Sequence, residues 1–225
     1  MGRSMRWFPL VGLALGFMLA GFHYCFMLIF PEQIVALLLV AILALVTGAL
    51  HLDGLADVFD GFGARGSQER FLAVMKDSGT GAIGAAALFL GLFLKYQALL
   101  HLPSGLKYGG IVLFPAVARF SQVLMTVGSR RARADGLGAG LIASAGWKET
   151  LLAAGTSLAA AFALLGITGV ACCLSVALFA WLSRSYFHRR LGGVTGDIIG
   201  CTSELAEILA LLTIIAFGNK LQGLL

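Results

Sequence analysis

Residues 33–65 read QIVALLLVAILALVTGALHLDGLADVFDGFGAR. A charge-free run over 33–52 leads directly into Asp53, Asp57 and Asp60. About 20 consecutive apolar residues is the length that carries a helix across a bilayer. The segment therefore predicts a membrane-spanning helix that ends at an acidic surface.

The whole chain agrees with that local reading. Of its 225 residues 59% are hydrophobic and 12% charged, with a mean hydropathy of +0.93. An average soluble domain carries about 25% charged residues. This deficit excludes an ordinary soluble enzyme, a disordered tail and a soluble DNA-binding domain. The 30 glycines suit apolar helices that pack closely in lipid.

Seven apolar stretches run at about 7–30, 33–52, 82–100, 109–128, 147–165, 168–188 and 198–218. Gly166–Gly169 marks a turn inside the run 147–188, which is too long for one span. The N-terminal run lacks a small-residue cleavage site and reads as a retained span. Basic residues then test the topology, because cytoplasmic loops collect Lys and Arg. With the N-terminus inside, Arg3, Arg6, Arg65, Arg70, Lys76, Arg130, Arg131, Arg133, Lys148, Arg184, Arg189 and Arg190 are cytoplasmic, and only Lys107 and Lys220 are outside. The expected fold is all-α: a polytopic integral membrane helix bundle of about seven transmembrane helices, with a cytoplasmic N-terminus. It forms one membrane-embedded domain over 1–225, multi-pass in the cell (inner) membrane. The net charge of +5 is accounted for by orientation, so no nucleic-acid partner is expected. Cys25, Cys172, Cys173 and Cys201 show no CxxC spacing and read as small apolar residues. No internal repeat or low-complexity segment is visible.

Asp53, Asp57 and Asp60 stand at i, i+4 and i+7, which on a helix places them on one face. Three converging carboxylates repel one another unless a cation lies between them. Hard oxygen ligands suit Mg²⁺, which takes one or two carboxylates, water and substrate phosphate oxygens. The alternative is a solvated acidic helix end, although no Lys or Arg is interleaved over 51–64. His51 lies off the aspartate face. Lys76-Asp77-Ser78-Gly79-Thr80-Gly81 precedes the next apolar helix. A helix N-terminus with glycines and a lysine can receive an anion, while Asp77 or Ser78 can equally be a simple N-cap.

Asp197 and Glu204 share a face of the last span at i, i+7. Glu204 lies about 10 Å deeper than Asp197 at the helical rise, and Glu207 deeper still. Ionisable groups at such depth are costly and are functional by default. The alternative is an internal ion pair with Lys95 or Arg119, both of which lie in apolar runs. Lys95 sits toward the outer half, where snorkelling is a further reading. Two classes emerge: a Mg²⁺-dependent phosphoryl-type transferase at the cytoplasmic face, or a secondary transporter using intramembrane carboxylates. The densest carboxylate group lies at the interface and no repeat is seen, which favours the transferase. A structural subunit leaves the clustered aspartates unexplained.

HLDGLADVFDG at 51–61, MKDSGTG at 75–81, KYQAL at 95–99, ARADGLG at 132–138 and GGVTGD at 192–197 with Glu204 resemble the cobalamin synthase family, adenosylcobinamide-GDP ribazoletransferases. The resemblance covers nearly the whole chain. It implies an integral membrane, Mg²⁺-dependent transferase of the last steps of adenosylcobalamin assembly. Such an enzyme joins adenosylcobinamide-GDP to α-ribazole, or its 5′-phosphate, and releases GMP. The implied partners are the corrinoid nucleotide, α-ribazole and the bilayer; the oligomeric state, including a homo-oligomer, stays open. Asp60-Gly61-Phe62-Gly63-Ala64-Arg65 also matches the opening of the CDP-alcohol phosphotransferase signature. That signature's later glycine and aspartate fall on Val74 and Ser78, so the likeness is one of chemistry.

On these residues the expected site has Asp53, Asp57 and Asp60 as Mg²⁺ ligands and Asp60 and Asp77 as catalytic groups. Asp77 is a metal ligand or the base for the ribazole hydroxyl. Arg65, Lys76, Ser78, Arg119, Asp197 and Glu204 are the expected substrate-binding residues.

Overall fold

The computed structural model describes residues 2–64, 66–133 and 146–222. Eight α-helices occur among them: α1 (Phe8–Met27), α2 (Glu32–Val46), α3 (Leu50–Gly63), α4 (Gln68–Val74), α5 (Ala82–Leu100), α6 (Lys107–Thr126), α7 (Trp147–Leu191) and α8 (Gly196–Gln222). The described β-structure is a single parallel bridge between Arg131 and Val194. The all-α membrane bundle stands.

Two helices form the centre. In the segment containing α6, 89% of the most apolar window is buried, and in α8 78%, against 22% for α1 and 28% for α5. The outer helices present Leu10, Phe17, Phe89, Phe93 and their like outward, which only a lipid solvent accepts as a continuous surface. The inner pair carries most of the buried polar residues, and Lys95 of α5 reaches in to join them. α1 lies against α6 through Gly12 and Gly16, one helical turn apart. A Cβ on Gly12 would meet Ala116 Cα at 2.5 Å, and one on Gly16 would meet Val112 O at 2.2 Å. This is the small-residue contact through which membrane helices gain van der Waals packing.

Among the described residues, five helices are long and apolar enough to cross a membrane, and a bent pair makes a sixth candidate. The seven runs read from the sequence meet this count differently in two places. α2 ends at Val46, where Thr47 Oγ1 donates back to Leu43 O at 2.9 Å, and Gly48 and Ala49 take φ of 61° and 55°. The chain turns 90° there into α3, so the aspartates do not continue the axis of the span. A positive φ is uncommon for alanine, and this bend aims α3 across the bundle end. α7 is a helix of 45 residues interrupted at Gly166, with φ 54° and ψ −133°. A Cβ on Gly169 would lie 2.0 Å from Ala161 O. Residues eight apart on a straight helix are separated by about 12 Å, so the chain folds back at this glycine, at the turn expected from the sequence.

α3 is held by its apolar side. Leu55 and Val58 are buried with Phe71, Ile198 and Cys201 in a cluster beneath the carboxylate-bearing end of the bundle. The remaining core, centred on α6, contains Leu113, Phe114, Val117, Val176 and Leu211.

Candidate active site

Three elements meet at the carboxylate end: α3, the loop leading into α5, and the first turn of α8. Gly54 sets the closest approach. A Cβ there would fall 2.5 Å from Asp197 O, so glycine at this position allows Asp53 and Asp57 to stand beside Asp197. Asp53 is exposed, and Asp57 and Asp60 are half-buried. Asp57 experiences the negative charge of Asp53, Asp197 and Asp60, opposed by Arg133.

Asp60 has a second task. Its Oδ2 accepts from Gly81 N–H at 2.7 Å and its Oδ1 from Gly84 N–H at 2.8 Å. It therefore caps the α5 N-terminus from another helix, where the orphan amides and the helix dipole favour an anion. Each carboxylate oxygen retains a second lone pair. Asp77 Oδ1 accepts from Gly79 N–H at 3.1 Å in a local turn. Asp77, Ser78 and Lys76 are all exposed on this loop. Arg65 lies outside the described residues. Asp197 receives the Arg133 guanidinium on Oδ2, and Thr195 Oγ1 accepts from Ile198 N–H at 3.2 Å, so Thr195 rather than Asp197 is the α8 cap.

Glu204 and Arg119 are not in this group. Lys95 Nζ donates to Glu204 Oε2 at 2.5 Å and to Glu207 Oε2 at 2.6 Å. Arg119 donates to Ser203 Oγ at 2.9 Å and to Glu207 Oε1 at 3.4 Å. Lys95, Arg119, Glu204 and Glu207 are each at most 5% exposed. Lys95 does not snorkel: it reaches inward, and its charge is balanced inside the bundle. The internal ion pairing weighed from the sequence is the arrangement found. Gln122 Nε2 lies 3.0 Å from Ser203 Oγ and 2.9 Å from His51 Nε2. The network thus continues to the first turn of α3, two residues before Asp53.

A divalent cation is compatible with this end of the bundle by donor chemistry. The donors are carboxylate oxygens, the hard ligands Mg²⁺ prefers, and one or two suffice when substrate phosphates supply the others. Among the described residues no three His, Cys, Asp or Glu groups converge closely enough to hold a metal alone. The sequence reading gave Arg133 no site role, placing it among the topological charges and within the ARADGLG stretch at 132–138, and it missed the Gln122–Ser203 link. Arg133 sits in a run of similar arginines, and the ARADGLG stretch was the one local signal that set it apart.

The family model described as cobalamin-5-phosphate synthase matches residues 1–215. An adenosylcobinamide-GDP ribazoletransferase of Geotalea daltonii is 56% identical over 220 residues, covering 98% of this chain and 89% of that protein. Proteins of the same name from Pseudomonas savastanoi pv. phaseolicola and a Thermoanaerobacter species are 39% and 32% identical, over 95% and 93% of this chain and 88% and 85% of their own lengths. No solved structure matches significantly. A match that includes the aspartate helix, the glycine loop and the α8 start, at such identity, has one consequence: the chain belongs to the cobalamin-5-phosphate synthase family.

Proposed function

We propose that this chain joins adenosylcobinamide-GDP to α-ribazole, or its 5′-phosphate, and releases GMP, in a Mg²⁺-dependent reaction at the cytoplasmic face of the inner membrane. It is a transferase of cobalamin synthesis by family and by its 56% identity to a ribazoletransferase. The observation that carries the site is the juxtaposition of α3 and the α8 start at Gly54 and Asp197. This groups the carboxylates at one end of the bundle.

Asp53 and Asp57 are the metal ligands in this reading, with Asp197 adjoining them and Asp60 divided between the site and the α5 terminus. Bound Mg²⁺ would neutralise charge on the diphosphate and the departing nucleotide. Lys76 and Ser78 contact phosphate oxygens from the loop, and Arg65, outside the described residues, is assigned the same role from its sequence position alone. Asp77, on the same exposed loop, takes the proton of the ribazole hydroxyl. The hydroxyl oxygen attacks the phosphorus bonded to the cobinamide side, and the bond to GMP breaks. No covalent enzyme intermediate is needed. Glu204 and Arg119 act at a distance in this scheme, through the buried network that holds α8 and α6 in register beside α3.

The orientation rests on the basic residues, twelve placed inside against two outside. Cysteine labelling at positions 67 and 104 should report opposite sides of the membrane, and labelling from one side refutes it. The activity is tested by GMP release from purified protein with both substrates. Release is expected with Mg²⁺ and lost with EDTA. Release that persists in EDTA rejects the metal role, and uptake of solute without product favours a carrier.

A further inference from the structure

The segment Arg130–Arg133 after α6 looks in sequence like one more cytoplasmic basic patch. The fold restrains it tightly. Val194 N–H donates to Arg130 O at 2.9 Å and Ala132 N–H to Val194 O at 3.0 Å, forming the parallel bridge. The two segments are close enough that a Cβ on Gly193 would lie 2.3 Å from Arg130 O. Upstream, Arg184 of α7 donates to Gly128 O at 2.7 Å and to Leu124 O at 3.4 Å. Downstream, Thr195 caps α8. The backbone just before Arg133 is thus pinned to the loop that delivers Asp197.

The Arg133 guanidinium rests on Asp197 Oδ2. The pair differs from the ion pairs in the bundle interior. Its side chains are 20% and 29% exposed, whereas Lys95 and Glu207 are at 4% and 1%. A partly open pair costs less to separate than a fully buried one, so its partner can be exchanged. Asp57, half-buried nearby, is under the charge of three other carboxylates, and Arg133 is the cation that opposes them. Guanidinium is planar and matches two phosphate oxygens at once. An arginine built into the rim of an acidic cluster, on a carboxylate it can leave, suits a ligand that arrives carrying both phosphate and metal.

We infer that Arg133 is a diphosphate-binding residue: it rests on Asp197 in the free protein and moves to the phosphate oxygens of the nucleoside-diphosphate substrate on docking. Asp197 is then free to face the cation that accompanies the diphosphate. The inference rests on the transferase reading above.

The test is a double-mutant cycle on the full chain in detergent, with GDP as the probe and EDTA present to remove the metal. Asp197→Asn releases Arg133 and should tighten metal-free GDP binding about tenfold, the scale of a charge-assisted hydrogen bond. Asp197→Asn/Arg133→Gln should lose that gain, and Asp197→Asn/Arg133→Lys should keep part of it, because charge survives without the fork. Thermal unfolding of each variant shows that the comparison is between folded proteins. A gain that survives Arg133→Gln is merely the loss of one negative charge and overturns the inference, as does unchanged GDP affinity in Asp197→Asn. GMP release by the wild-type protein separates the two failures. Release without the GDP effect rejects the Arg133 role alone, and no release rejects the transferase reading.

Discussion

Among the described residues, the interior and the carboxylate end of the bundle each hold a group of charged residues, and the two are arranged on opposite principles. In the interior, Lys95 and Arg119 face Glu204 and Glu207, two cations for two anions, all nearly excluded from solvent. At the bundle end, Asp53, Asp57, Asp60 and Asp197 gather with Arg133 as the cation acting on Asp57, and they are partly open. A buried charge must be matched or it is prohibitively costly. At the rim, water tolerates the mismatch, and an excess of carboxylates can persist until a cation arrives. The interior group is neutralised within the fold, and the rim group is left able to receive a cation.

Several substitutions break or sharpen this contrast. Lys95→Met leaves two buried carboxylates facing each other, and the expected cost is about 3–5 kcal/mol of stability. Thermal unfolding in detergent would show it as a large drop in midpoint; an unchanged midpoint would mean the network is not stabilising. Asp57→Asn should do the reverse: the fold survives, while GMP release falls by about 100-fold or more, as when a charge-stabilising group is lost. Comparable stability loss in both variants would erase the distinction between the two groups.

Gly54→Ala lies between them. Its methyl would press on Asp197 O and force α3 away from α8, costing about 1–3 kcal/mol by overpacking. Activity should fall more than the midpoint suggests, because the carboxylates separate. A variant with full GMP release would show that their spacing is not critical. Gln122→Leu should have the smallest effect, about 1 kcal/mol for a lost buried hydrogen bond, with a lower kcat and an unchanged KM if the His51 link orients α3. A change in KM alone would argue that Gln122 approaches substrate instead.

The aspartate face was legible because i, i+4, i+7 spacing survives in any helix, and α3 is one. The pairing of Glu204 and Glu207 with Lys95 and Arg119 appeared in sequence only as one of two alternatives. Their separations along the chain exceed 80 residues, and no local pattern reports which helix faces which. The second span, read as running over 33–52, instead breaks at Gly48–Ala49, and the aspartates stand on a separate helix. Alanine gives no warning of a left-handed turn, so a 90° bend leaves no signature beyond one glycine. The turn at Gly166 was readable, because a run of that length cannot remain one span.

By itself the sequence determined the solvent and the helical class, and it singled out the carboxylates of the candidate site. Each follows from composition and local period: too few charges for water, apolar runs of bilayer length, carboxylates at helical spacing. Tertiary structure decided which charges are paired. It placed Arg119 and Glu204 in the interior, seated Asp60 on the α5 terminus, and brought Arg133 onto Asp197 across 64 residues of chain. Electrostatic energy depends on distance in space and on burial, and neither quantity is carried by the order of residues along the chain.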